Sequence, residues 1–197
     1  QLRHRPSLDD YLALLRETPD EVRALFDDLL ISVTAFFRDA PAWEALRAKV
    51  VAPLVERSNG DEPIRVWVPG CASGEEVYTL AILFREELAH RDSHCELVIF
   101  GSDVDQNALS TAREGAYPHA IAADLSEGRL ARYFRAQGGH YRVANEVRDT
   151  VVFAAHSVLR DPPFSKLHLI SCRNLLIYLD RDLQQQLQHV FRYGLRE

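Results

Sequence analysis

Apolar residues recur along this chain with two different periods, and the change from one to the other divides it. Up to about Val55 the spacing is helical. In SLDDYLALLRE, Leu8, Tyr11, Leu12 and Leu15 fall on one stripe with Ser7 placed to cap. PDEVRALFDDLL repeats the pattern behind Pro19, so the two segments read as a helical hairpin. Trp43, Leu46 and Val50 mark a further helix running to about Val55, and SNGDEP at 58–63 is a loop. Beyond it, short apolar runs alternate with helical stretches: strand 64–68, helix 74–90, strand 96–101, helix 105–113, strand 150–154, strand 167–171 and helix 180–193. That alternation predicts an α/β fold with a mainly parallel sheet. Residues of about 117–149 break it with a polar helical piece, DLSEGRLARYF, a Gly138-Gly139 turn and the half-alternating HYRVANEVRDTVVF. They read as an inserted subdomain of short antiparallel strands. The expected division is a helical domain with linker helix at 1–57 and an α/β domain at 58–197.

Composition narrows the functional classes. The chain has 197 residues, 47% hydrophobic and 26% charged, enough for a sizeable core, and no apolar run approaches the roughly 20 residues of a membrane span. A net charge of −6 argues against broad contact with a phosphate backbone, so nucleic acid is not an expected partner, and without a long apolar run no membrane insertion is expected. Cys71, Cys95 and Cys172 are widely spaced without a C-x-x-C pair, which indicates neither a disulfide framework nor a zinc site; no metal is expected. With no secretory signal visible, a reducing cytoplasm is the expected compartment.

The candidate chemistry begins in IRVWVPGCASGEEVYT, residues 64–79, a strand that breaks at Pro69-Gly70 and enters a helix through small residues. Such a turn cradles nucleotides in α/β proteins, and one built for pyrophosphate leaves the helix start free for the phosphate. Here Glu75 and Glu76 occupy it. They would repel a dianion and favour a nucleoside-like ligand with a cationic portion, such as S-adenosylmethionine. The alternative is a capping box of Ser73 and Glu76. Asp103 ends the neighbouring strand, where a carboxylate can accept two hydrogen bonds from a ribose diol; Asp105 reads as a helix cap. LHLISCRNLLIYLD places Cys172-Arg173-Asn174 at another strand end facing the same crevice. For Asn174 a helix cap, and for Tyr178 a core aromatic, remain alternatives.

Taken together, VTAFFRD, CASGEEVYTLA, FGSDVDQNALSTAREGAY and SCRNLLIYLD, in this order, resemble the chemotaxis-receptor methyltransferases of the CheR family, over nearly the whole chain from about Pro19. The strings LLISVTAFFRD and VLRDPPFSKLHLISCRNLLIYL are most similar to the methyltransferase domain fused to a methylesterase in larger sensory proteins. The resemblance implies a class I S-adenosylmethionine-dependent methyltransferase, Rossmann-like, behind a small helical domain and carrying a three-stranded subdomain able to dock receptor peptides. It implies esterification of glutamate side chains on the cytoplasmic helices of chemoreceptors, with S-adenosylhomocysteine as the other product.

Carried over motif by motif, cofactor contacts fall on Ser32, Thr34 and Arg38, on Gly70 and Glu75, on Asp103, on Ser157-Val158 and on Asn174-Leu175. Ser32 and Ser157-Val158 stand where many members have Asn and Asn-Leu, and a serine reaches less far. Because a glutamate with a reference pKa of about 4.3 is ionised at pH 7, the transfer needs alignment and desolvation rather than a base. Arg38 and Tyr178 are the expected substrate-orienting residues; His156 and His168 are expected to be structural. The chain stops at FRYGLRE, where the class adds an antiparallel strand pair, so strand 167–171 is expected to be an open edge through which two copies can pair. A cofactor-binding sensor or scaffold without catalysis is the alternative function, and a nucleotide-dependent oxidoreductase the weakest, since no G-x-G-x-x-G follows strand 64–68.

Overall fold

The computed structural model describes residues 8–22, 25 and 34–196, and its contacts separate two compact units, 1–33 and 34–197. In the first, α1 (Leu8–Glu17) is followed by helical backbone at 19–22, and the buried Tyr11 donates its hydroxyl to Glu21 at 3.1 Å. The rest of the expected second helix, and Ser32, lie outside the described residues.

The second unit begins with a helical arm. The expected single helix to Val55 is interrupted: α2 (Ala40–Leu46) passes through a π-helical turn (Arg47–Val51) into α3 (Ala52–Arg57). Pro53 supplies the reason, because its ring lacks an N–H and crowds the carbonyl four residues back, and a wider turn relieves both. Arg47–Glu87 at 3.5 Å and Arg91–Glu56 at 3.9 Å tie this arm to the first sheet helix.

The sheet follows the predicted alternation: β1 (Ile64–Pro69), α4 (Glu75–His90), β2 (Leu97–Asp103), α5 (Gln106–Glu114), the insert, β6 (Val151–Ala155), β7 (Leu169–Ile170) and α8 (Arg181–Gly194). All neighbours are parallel, in the order β6-β2-β1-β7. β1 is apolar apart from Arg65 because both its faces are covered. Val66 and Val68 pack in one core with Val77, Leu80, Ala81 and Phe84 of α4. On the other side the fully buried Trp67 donates its indole N–H to Ser102 Oγ at 2.9 Å and meets the rings of His156, Phe164 and Phe191 edge-on within 5.3–5.7 Å. No helix crosses between β6 and β7, so the segment after β6 and α8 cover this face instead.

β7 is shorter than the expected 167–171. Ahead of it Leu167 is already engaged on its outer side: its N–H donates to Gly194 O and its carbonyl accepts from Arg196 N–H, each at 2.9 Å, in a parallel bridge to Leu195. The expected open edge is therefore narrowed only at Leu167; β7 itself ends the sheet and pairs with β1 alone.

The insert contains β3 (Ala116–Pro118), α6 (Glu127–Tyr133), β4 (Phe134–Gln137), β5 (His140–Val143) and α7 (Asn145–Arg148), with an antiparallel sheet ordered β3-β5-β4. Its buried Tyr117, Tyr133, Phe134 and Val143 join the core of the main sheet. Phe36 wedges between Tyr117 and Phe134, at 5.0 and 5.2 Å. β5 is the middle strand, so its backbone is paired on both sides. Strand addition to this sheet is thereby left to β3 or β4.

Candidate active site

Strand order locates the crevice. β1, β2 and β6 proceed to one side while β7 returns to the other side of β1, and ligands of open α/β sheets bind outside the carboxyl ends of strands at such a reversal. Gly70, exposed at φ 67°, leaves β1 there, and a Cβ on it would lie 3.2 Å from both methyls of Leu175. The turn after β1 and the segment after β7 therefore touch. The turn is braced to β2, with Cys71 N–H donating to Ser102 O at 3.0 Å and Ala72 N–H to Asp103 Oδ2 at 2.7 Å.

The start of α4 departs from the capping-box alternative. Its N-cap is Gly74 at φ 93°, where a Cβ would come within 2.9 Å of Ala112 and 3.0 Å of the Phe153 ring, so no side-chain cap fits. Ser73 Oγ turns instead to Glu75, at 3.1 and 2.8 Å from its two oxygens, and the Thr34 side chain also hydrogen-bonds Glu75. Burial raises the Glu75 carboxyl above its ordinary range against these hydrogen bonds, and among the described residues no cation pairs with it. Glu76, read as the cap, accepts from Ser171 Oγ across the crevice at 2.6 Å; burial raises its carboxyl too, opposed by Ser171 and by the charge of Arg173. Two acids adjacent in sequence thus face two different strand ends.

Asp103 receives one backbone donor on each oxygen, Ala72 N–H on Oδ2 and Asp105 N–H on Oδ1 at 3.0 Å, while Asp105 caps α5 through Asn107 and Ala108 N–H. Asp103 is partly buried and pairs in register with Ala155, which sets Ser157-Val158 directly beyond the neighbouring strand. Ser157 spends its N–H on Asp161 at 2.7 Å. Across the reversal, Asn174 stands exposed at φ 59° with no helix-capping role, Leu175 touches Gly70, and Tyr178 is 67% exposed in a short 3-10 turn (Leu176–Tyr178), which removes the core-aromatic alternative. Arg38 is exposed, and its carbonyl accepts from Trp43 Nε1 at 2.8 Å and from Arg173 Nη1 at 2.9 Å. Contacts thus join the turn after β1 to Asp103, Leu175 and Thr34 and the segment after β7 to the Arg38 turn, while Ser157-Val158 follow the strand next to Asp103.

Several participants escaped the sequence reading. Ser73 and Ser171 hold the two acids, and Tyr117 of β3 donates to Ser73 O at 2.6 Å, linking the insert to the turn. Burial keeps the Tyr117 hydroxyl well above its usual range, so it remains a donor. Arg173 lay in a noted polar cluster, yet nothing in the spacing showed its partners 135 positions away. His156 and His168 are engaged elsewhere, His156 Nε2 with Pro162 O at 3.0 Å and His168 Nδ1 accepting from Arg65 N–H at 3.0 Å.

An open parallel sheet with an acid-lined turn after its first strand and a carboxylate after its second defines a Rossmann-like domain of the class I methyltransferase type. The chain belongs to the CheR family: residues 32–197 match the domain described as "CheR methyltransferase, SAM binding domain", which makes S-adenosylmethionine its cofactor. Among its relatives are an "Uncharacterized 104.1 kDa protein in hypE 3'region" of Rhodobacter capsulatus (40% identical, 99% of this chain, 20% of that one) and a "Putative methyltransferase Cher3" of Pseudomonas putida (37%, 90% and 65%). A "Chemotaxis protein methyltransferase" of Borreliella burgdorferi is 29% identical over 95% of this chain and 69% of its own. The chain thus spans a fifth of the first relative and about two thirds of the others. Among the described residues no helix is long and apolar enough to cross a membrane.

Proposed function

We propose that this domain transfers a methyl group from S-adenosylmethionine to glutamate side-chain carboxylates of chemotaxis receptors, giving glutamyl methyl esters and S-adenosylhomocysteine. The observation that carries this reading is Glu75. A buried carboxylate raised by desolvation and left without a cation is unfavourable by itself, and a ligand with a sulfonium and an ammonium compensates it. The chemistry of the site fits that cofactor, with Glu75 and Thr34 toward its methionine portion, Asp103 toward its ribose, and Gly70, Ser157-Val158, Asn174 and Leu175 around the remainder. The cofactor supplies an electrophilic methyl on a positively charged sulfur.

The chain's residues supply placement. A glutamate substrate is already ionised at neutral pH, so no residue has to take a proton. Arg38 can hold that carboxylate with a bidentate contact and Tyr178 can orient it with one hydrogen bond, both at the crevice mouth. The names of the chemotaxis methyltransferase relatives support the receptor as substrate. A receptor peptide would dock by adding a strand to β3 or β4, and the setting would be the cytoplasm, where the receptor helices are.

The test is transfer of labelled methyl from S-adenosylmethionine to a receptor cytoplasmic fragment, read as base-labile label. Label that survives base, or none at all with a competent receptor, would overturn the reading.

A further inference from the structure

Arg38 sits on backbone that nothing in a helix start requires. Phe37 and Asp39, on either side of it, both have positive φ, 49° and 66°, a region in which a residue with a side chain is strained. Such geometry persists only where the surroundings over-determine it. Phe37 N–H is held by Thr79 Oγ1 at 3.2 Å, and the Phe37 ring lies under the Arg129 guanidinium at 4.0 Å. Asp39 occupies the N-cap position of α2 without capping it. Its carboxylate instead meets Arg173 Nη2 at 3.5 Å.

Arg173 makes three contacts with this turn. Nη1 donates to Arg38 O at 2.9 Å, Nη2 pairs with Asp39, and the guanidinium plane lies 4.9 Å from the centre of the buried Trp43 ring, whose own N–H donates to the same Arg38 carbonyl. A planar fork is suited to all three at once, and a lysine ammonium is not. The positive charge of Arg173 also acts on Glu76, which accepts from Ser171 on the same strand end. Arg173 therefore fastens the Arg38 turn to the segment that goes on to Asn174, Leu175 and Tyr178.

We propose that Arg173 is a positioning residue for methyl transfer, holding Arg38 and Tyr178 to one strand end so that a substrate carboxylate is aligned, without itself contacting the cofactor. This role rests on the reading of the site as a glutamate methyltransferase. The test compares the parent protein with Arg173→Met and Arg173→Lys in three measurements: S-adenosylhomocysteine affinity by calorimetry, kcat and KM for a receptor fragment, and tryptophan emission, to which only Trp43 and Trp67 contribute. Displacement of a reacting group by about an ångström costs on the order of 100-fold in rate. Arg173→Met is accordingly expected to lose about 100-fold in kcat, to keep cofactor affinity within about threefold, and to shift the Trp43 emission. Arg173→Lys should not restore kcat.

Should the Met variant fail to fold, Asp39→Asn removes the exposed partner of the ion pair and is expected to lower kcat about two- to fivefold at unchanged cofactor affinity, on the order of a surface charge contact. A folded Arg173→Met or Asp39→Asn with parental kcat, full rescue by lysine, or a parallel fall in cofactor affinity and kcat overturns the positioning role. Absence of transfer by the parent protein overturns the functional reading itself, and this role with it.

Discussion

The two walls of the crevice are built by different means. The wall formed by residues 70–76 and Asp103 is local: a strand end, a turn and a helix start, closed by backbone donors from the turn onto the adjacent strand and by Ser73 onto Glu75. The wall formed by residues 34–39 and 171–178 is assembled from distant segments, with Arg173 reaching Arg38 across 135 positions and Phe37 reaching Thr79 across 42. A locally closed loop can hold a cofactor before any partner arrives. A wall held by long-range contacts, although Thr34, Asn174 and Leu175 on it also belong to the proposed cofactor set, can lose the alignment of Arg38 and Tyr178 while Glu75 and Asp103 stay in place. Binding and chemistry should consequently separate by mutation, and each variant tests that separation.

The largest effect is expected on the local wall. Glu75→Ala removes a buried carboxylate that no cation among the described residues pairs with and strands the donors Ser73 and Thr34, so cofactor affinity should fall about 100- to 1000-fold, the scale of a broken buried charge contact. Glu75→Gln keeps the donors occupied and tests charge alone. Calorimetry with S-adenosylmethionine measures both variants. Retained affinity in Glu75→Gln would mean that the charge has no part in binding, and the division between the walls would lose its basis.

That division also explains what could be read from the chain beforehand. Asp103, Asp105 and the turn after β1 were legible because their signals are local: the end of an apolar run, a helix-cap spacing, glycines at a strand–helix corner. Glu76 was misread because its spacing from Ser73 fits a capping box, whereas Ala112 and Phe153, from other elements, close the N-cap position to any side chain. The same limit hid the π turn, where the one-dimensional pattern continues and the strain of Pro53 is taken up in three dimensions. It hid the shortness of β7 as well, whose pairing is set by Val66 and Trp67 rather than by its own apolar length. Arg173 stood in plain view as part of a polar cluster, but a side chain's role in a tertiary contact has no period.

A smaller and graded effect follows from proton linkage on the local wall. Burial raises the carboxyls of both Glu75 and Glu76. A raised carboxyl contributes stability that is fully present below its ordinary value and lost as pH rises through the raised one, because the folded state holds the proton more tightly. A cationic ligand favours the ionised form, so cofactor affinity should strengthen as pH rises through that window, by at most about tenfold per pH unit for each group that loses a proton on binding. Calorimetry in buffers of different ionisation enthalpy should register proton release near the raised value. Glu75→Gln should flatten the dependence; affinity in the parent protein that stays constant as pH rises from the ordinary carboxylate range would count against the assignment.

The smallest effect is expected on the assembled wall, at Tyr178. Its side chain is 67% exposed and can offer the substrate one hydrogen bond, and a neutral hydrogen bond is worth about 1 kcal/mol, or about fivefold in rate. Tyr178→Phe removes the hydroxyl and keeps the ring. If the hydroxyl only orients the carboxylate, kcat falls about fivefold while S-adenosylhomocysteine affinity is unchanged, because no contact of the cofactor wall passes through it. A rise in KM alone would place Tyr178 in receptor docking rather than in alignment. A fall in cofactor affinity would show the two walls to be one, since Leu175 touches Gly70 and Ser171 donates to Glu76.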